Sequence, residues 1–219
     1  MGVFPIHLEL AGRRVLVVGG GEVACRKVQG IVEAGGDVTV IAPEVVEPLR
    51  TLAMRGVIGW RDRPVAAGDT AGFSLVFAAT SDPIVNRRVA DEARGNGGLV
   101  CRVDDPAEGD FVTPALFRDG DLLVSVGCGG VPLLAAAIRD RVARDLGGGW
   151  GRRIREIRTR RENLLTRSPG HSYNKKILKR LYDDVSSRVR DGRFDEIAPL
   201  FDAVASSAAE TGTSSGGDQ

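Results

Sequence analysis

Cysteine and histidine are scarce in this chain of 219 residues, and each shortage removes a class of function. The three cysteines, Cys25, Cys101 and Cys128, are odd in number, far apart and outside CxxC spacing. Neither a disulfide framework nor a zinc site is expected from them, and they read as small buried residues. With only His7 and His171 present, a multi-histidine centre is excluded, and no resident metal is expected. No apolar run reaches the ~18 residues needed to cross a bilayer, so no membrane span is expected. The opening stretch MGVFPIHLEL has no basic segment followed by an apolar core. It does not read as a secretory signal, and a cytoplasmic location is the expectation.

What is present fits a globular chain, with 42% hydrophobic and 27% charged residues. The net charge of +1 hides an asymmetry, because residues 139–193 hold 17 Lys and Arg against 7 Asp and Glu. That basic end either faces an acidic ligand or is solvated. The surrounding motifs are not those of a DNA reader, so nucleic acid is not an expected partner.

Short apolar stretches at 14–18 (RVLVV), 37–42, 57–60, 73–79 and 98–103 read as buried strands. Helical spacing fills Val23 to Ala34, Val45 to Arg55 and Pro83 to Arg94, the last with Ser81 or Asp82 as N-cap. Alternating strand and helix predicts a parallel sheet with right-handed crossovers. Phe111 to Phe117, a turn at Arg118-Asp119-Gly120, and Asp121 to Val126 then read as an antiparallel hairpin, followed by a helix from Pro132 to Leu146. GGGWG at 147–151 punctuates the chain, and 152 to about 205 reads as helical with a break at Ser168-Pro169-Gly170. The small polar residues of 206–219 predict a disordered tail.

The stretch GGGEVA places G-x-G-x-x-A on Gly19, Gly21 and Ala24, directly after a strand and at the opening of a helix. In that context Gly19 permits a tight turn, Gly21 lets backbone N–H groups approach a pyrophosphate, and Ala24 lets the helix pack close to the sheet. The candidate cofactor-binding residues here are Gly19, Gly20, Gly21, Glu22, Val23 and Ala24. The second strand ends Ile41-Ala42-Pro43 without the acidic residue that usually takes the ribose hydroxyls, and Glu44 is the nearest carboxylate. Pro43 and Glu44 join the candidate set, and the residues alone leave NAD and NADP both open. Arg26 and Lys27 read as surface charges. Ala79 and Thr80, at the end of the fourth strand, leave room for a cofactor across the carboxyl edge or simply start a close-packed helix. Asn86, on the helix that follows, reads as bonded to the adjacent loop or solvated. The fifth strand ends in Asp104-Asp105-Pro106, which makes one of these aspartates the best acid/base candidate in the chain, unless it only caps the turn.

Taken together, VGGGEVACRK, EAGGDVTVIAP, AATSDPIVNRRVADEAR, VDDPAEGDFVTPA and the later GG-x-P before a helix resemble the precorrin-2 dehydrogenase, or siroheme synthase N-terminal, family. The likeness covers about residues 3–145. It implies a Rossmann domain that binds NAD, oxidation of precorrin-2 to sirohydrochlorin, and, in some members, insertion of ferrous iron. It also implies a homodimer formed through the hairpin region. By position, the family's essential aspartate falls on Asp104, and Asp105 matches a less telling neighbour. Two departures stand out. Cys101 and Arg102 replace an asparagine and a small apolar residue, and Gly127-Cys128-Gly129-Gly130-Val131-Pro132 is one residue shorter than the family loop and carries no hydroxyl. Cys128, Gly129 and Gly130 are the substrate-binding candidates in that loop.

The expected organisation is an NAD-binding domain over 1–109, a dimerisation region over 110–150, a helical C-terminal domain over 151–205 and the tail. Arg152, Arg153, Arg155, Arg158, Arg160 and Arg161 are a candidate counter-charge for a polycarboxylate substrate, or else a solvated face. The competing functional reading is a redox-sensing or regulatory module that binds NAD without turnover.

Overall fold

The structure, a computed structural model, describes residues 2–167 and 175–212. It divides into two compact units, one running to Thr113 and the other starting at Pro114.

The first unit is built on β1 (Arg14–Val18), α1 (Glu22–Glu33), β2 (Asp37–Ile41), α2 (Glu47–Met54), β3 (Gly59–Arg61), β4 (Leu75–Ala78), α3 (Pro83–Gly95) and β5 (Leu99–Arg102). The strands form one parallel sheet in the order β3-β2-β1-β4-β5. Strand order reverses at the β1/β4 junction, where ligands bind in doubly wound folds. Alternation along β1 explains its run of branched residues, since both faces of the sheet are covered. Val15 and Val17 join the α1 and α2 side chains Ala24, Val28 and Leu49 in one core. Leu16 and Val18 join Val89, Ala90 and Ala93 of α3 in the other. Of the two expected N-caps for α3, Asp82 is used, accepting from the N–H groups of Ile84 at 2.8 Å and Val85 at 3.3 Å.

After β5 the chain doubles back along the strand. Asp110 N–H donates to Val100 O at 2.8 Å, and the Asp110 carboxylate accepts from Val100 N and from Arg94 Nε. Phe111 stacks edge-on against Phe77 with ring centroids 5.3 Å apart. These ties correct the expected hairpin, whose first strand does not begin at Phe111. It begins only after Pro114, which offers no N–H to a ladder.

The second unit opens with that hairpin, β6 (Ala115–Asp119) and β7 (Leu122–Val126), antiparallel with Asp119 opposite Leu122. The turn is Gly120-Asp121 rather than Arg118-Asp119-Gly120, because Gly120 takes the positive φ of +59° that a two-residue turn demands. Then follow α4 (Pro132–Leu146), α5 (Trp150–Arg167), α6 (Lys175–Arg190) and α7 (Ile197–Gly212). The glycine run has a packing reason. A Cβ on Gly120 would stand 2.4 Å from Gly151 Cα, and Asp119 accepts from the N–H groups of Trp150 and Gly151 at the start of α5.

The expected break at 168–170 lies outside the described residues. A second break, at Asp191-Gly192, divides the helical region again, with Gly192 at φ +69°. Helix α7 runs through residues expected in the tail, 206–212, while 213–219 lie outside the described residues. Hairpin and C-terminal helices, expected as regions divided after 150, fall in one unit. Among the described residues no helix is long and apolar enough to cross a membrane.

Candidate active site

The carboxyl ends of β1, β2, β4 and β5 bring together the glycine turn, Pro43-Glu44, Ala79-Thr80 and Asp104. The three glycines of the turn do different things. Gly19 has φ +128°, and a Cβ there would lie 2.3 Å from Ala79 O. A Cβ on Gly20 would lie 1.9 Å from Glu44 O. Both positions therefore let neighbouring backbone close in, and Val46 N–H donates to Gly20 O at 2.8 Å. A Cβ on Gly21, in contrast, would meet nothing within 4 Å. Gly21 is the N-cap of α1 and gives that helix no side-chain cap, so the first amides of α1 are left without a side-chain acceptor from their own N-cap. Space plus uncapped amides is what a pyrophosphate requires, and the residues present fit a dinucleotide.

Around this turn Ala24 is fully buried against the sheet, while Glu22 and Val23 are exposed. Pro43 and Glu44 are exposed where β2 ends. Lys27, expected on the surface, is half-buried and donates to Thr113 Oγ1. Burial lowers its pKa. Burial also pushes the Cys25 and Cys101 thiols up, as suits packing residues.

The acidic end of the site is a closed polar network. Asn86, 0% exposed, accepts from Thr80 N–H at 3.0 Å and Thr80 Oγ1 at 2.8 Å, and donates to Thr80 O at 3.1 Å. The same amide donates to Asp104 Oδ1 at 2.9 Å. Arg102, 4% exposed, donates to Asp104 Oδ2 at 2.6 Å and, more weakly, to Oδ1 at 3.4 Å. Burial alone would raise the Asp104 pKa, but the Arg102 guanidinium, the residue's own backbone and the Asn86 amide outweigh it and hold the carboxyl below its ordinary range. Asp104 is thus ionised at neutral pH, with its side chain 23% exposed. Asp105 is the N-cap of a 3₁₀ turn at Pro106–Glu108 and caps it without a side-chain bond.

Asn86 and Arg102 are the participants that sequence reasoning undervalued. Asn86 shares the buried stripe Asn86, Val89, Ala90 and Ala93 of α3, and an amide on such a stripe needs partners. Arg102 is a charged residue at the buried end of β5, and the nearest carboxylate that could pair with it is two residues on.

The Cys128 loop belongs to the second unit. Val131 N–H donates to Cys128 O at 3.0 Å, closing a turn in which Gly129 and Gly130 have φ of +53° and +89°. Cys128 is partly exposed and free. Three of the six arginines proposed as counter-charge are already paired within their unit: Arg153 with Asp195, Arg158 with Asp121, and Arg160 with Glu156 and Asp202. Arg152, Arg155 and Arg161 are exposed and form no ion pair among the described residues. No three His, Cys, Asp or Glu side chains gather as metal ligands would among the described residues.

Residues 6–115 match the model of a family described as putative NAD(P)-binding. Over 205 residues the chain is 40% identical to the siroheme synthase of Chromobacterium violaceum, covering 93% of this chain and 41% of that protein. It is 33% identical over 211 residues to the siroheme synthase of Azotobacter vinelandii, covering 95% of this chain and 46% of the relative. The chain spans less than half the length of these curated relatives. Among solved structures, that of SirC, precorrin-2 dehydrogenase, superposes with a TM-score of 0.70 at 24% identity, over 92% of this chain and 100% of that one. The last likeness establishes a shared fold.

Proposed function

The chain belongs to the putative NAD(P)-binding family, and from that premise we propose that it oxidises precorrin-2 to sirohydrochlorin with NAD. The observation that carries the proposal is the placement of an ionised, half-sheltered carboxylate, Asp104, on the same sheet edge as an open, uncapped glycine turn. The names of the relatives, siroheme synthase and precorrin-2 dehydrogenase, supply the substrate class.

In this reading Gly19 and Gly20 shape the turn, Gly21 with the first amides of α1 holds the pyrophosphate, and Ala79 and Thr80 border the nicotinamide end. Pro43 and Glu44 border the adenosine end. NAD supplies the acceptor for the hydride that leaves the reduced macrocycle, and one proton is released with it. Asp104 faces the N–H that gives up this proton, where a carboxylate lowers the cost of the charge that develops. Cys128, Gly129 and Gly130 contribute a hydroxyl-free loop to substrate binding, and Arg152, Arg155 and Arg161 attract substrate carboxylates. Salt weakens that attraction, because exposed charges are screened beyond ~8 Å at physiological ionic strength.

Insertion of ferrous iron, which the family resemblance implies for some members, is a second activity of the proposal, and Asp104 is the group that would face the pyrrole nitrogens during it. A homodimer in the cytoplasm completes the proposal. Supporting the dimer, Leu133 is 85% exposed, with Val131, Leu134, Ile138 and Leu116 also exposed on the second unit. Isolated hairpins are marginal, and such an apolar surface invites a second copy.

Incubating the chain with NAD and precorrin-2 tests the reading. NADH formed in step with sirohydrochlorin supports it, and NAD binding without turnover supports the regulatory module instead. Repeating the assay with ferrous iron tests chelation.

A further inference from the structure

The structure assigns Arg102 as a positioning residue that, with Asn86, fixes Asp104 in one orientation and in its ionised form; this role rests on the dehydrogenase reading above. Three observations carry it. Arg102 is a buried cation whose guanidinium reaches both oxygens of one carboxylate, a pairing that fixes the carboxylate plane as well as its charge. Asn86 approaches Oδ1 from α3, so the carboxylate is held from two elements. The same Asn86 holds both the N–H and the C=O of Thr80, so the loop after β4 and the carboxylate after β5 are braced by a single amide.

The charged groups around the pair agree with an ionised state. The hydrogen bond to Asp104, and after it the charges of Asp104, Asp105 and Glu108, raise the proton affinity of Arg102, which leaves the guanidinium cationic and Asp104 the anion it neutralises. A carboxylate held in this way takes up a proton poorly. Its contribution is then to attract and orient the substrate N–H, while the proton itself passes to water. Atoms balance without any protonated Asp104 in the cycle, since the macrocycle loses one hydride to the oxidised nicotinamide and one proton to solvent.

Arg102→Leu and Arg102→Lys are the variants to make, with thermal melting to verify each fold. The first readout needs no turnover, namely the ¹³C titration of the Asp104 carboxyl, assigned by comparison with Asp104→Asn. In the wild type it titrates below the ordinary aspartate range. In Arg102→Leu it moves upward, because burial is no longer opposed, and in Arg102→Lys it moves less. The second readout is kinetic. Arg102→Leu lowers kcat by about 10- to 100-fold, as expected when a reacting group loses its alignment, and moves the acid limb of the kcat profile to higher pH. NAD affinity is unchanged, and Arg102→Lys recovers part of the loss. Superimposable carboxyl titrations overturn the proposal, whatever the enzyme does. If the carboxyl moves but the wild type does not turn over precorrin-2, the dehydrogenase reading fails, and the positioning role given to Arg102 in that reaction fails with it. A shifted carboxyl with kcat within twofold of wild type also overturns the positioning role.

Discussion

The two units of this chain are stabilised in different ways. In the first, every strand from β1 to β5 but the short β3 is almost wholly buried, and two separate cores line the two faces of the sheet. Among the described residues of the second, the buried apolar positions are few, such as Ala135, Trp150 and Leu181, while leucines of α4 lie open. The first unit is specified by burial and by close backbone approach. The second leans on glycine contacts, ion pairs and, in our proposal, another copy of itself.

The sharpest way to break the first half of this comparison is at Gly20. Gly20→Ala places a Cβ against the Glu44 carbonyl, and the backbone must shift to relieve it. A loss of about 3 kcal/mol is expected, at the upper end for overpacking, read as a fall in the midpoint of thermal or urea unfolding. Gly21→Ala meets open space instead. It should change stability by less than ~1 kcal/mol while weakening NAD binding, measured by fluorescence titration. Equal stability losses in the two would show that the turn is purely structural.

Next in size is Asp69, whose carboxylate accepts from Arg63 at 2.6 Å and from Ala66 N–H at 2.7 Å. The Arg63 hydrogen bond is the main cause that lowers its pKa from 3.8 to about 2. Because the folded value is depressed, this stabilisation is present above the unfolded pKa of ~3.9 and is lost as pH falls through the folded one. The shift corresponds to about 2 kcal/mol. Asp69→Asn should remove that much at neutral pH and flatten the stability profile between about pH 4 and 2, as urea unfolding at several pH values will show.

Smallest in stability, but most telling for the second unit, is Leu133→Glu. An exposed side chain of a monomer can change within about 0.5 kcal/mol. If a second copy covers α4, the variant should instead sediment as a monomer at micromolar concentration where the parent is a dimer. A parent chain that is already monomeric sinks the dimer proposal outright.

Legibility from the sequence follows locality rather than the division into units. The five strands and α1 to α4 could be read because apolar spacing and the Gly, Pro and Asp punctuation act locally. Asp82 as N-cap and Pro83 at the first turn of α3 are examples. The sequence pattern starts a strand at Phe111, but Phe111 packs on Phe77 instead, a contact that no local pattern reveals. The turn at Gly120 was legible in composition but not in register. At the site, the glycines and Asp104 stood out by position after strands. Asn86 and Arg102 did not, because their importance lies in each other's neighbourhood across α3 and β5. The arginines of α5 could be counted, but their pairing with Asp195, Asp121 and Asp202 depends on tertiary contacts.

The central claim is that Asp104, rather than its neighbour, faces the chemistry. It is tested most directly by the kcat of precorrin-2 oxidation in Asp104→Ala beside Asp105→Ala, each shown to be folded and to bind NAD. A preorganised group that stabilises developing charge is typically worth ~10² to 10³ in rate, so Asp104→Ala should lose at least ~100-fold in kcat with little change in NAD affinity, and Asp105→Ala much less. Near-normal turnover in a folded Asp104→Ala protein, or a large loss confined to Asp105→Ala, would contradict the account.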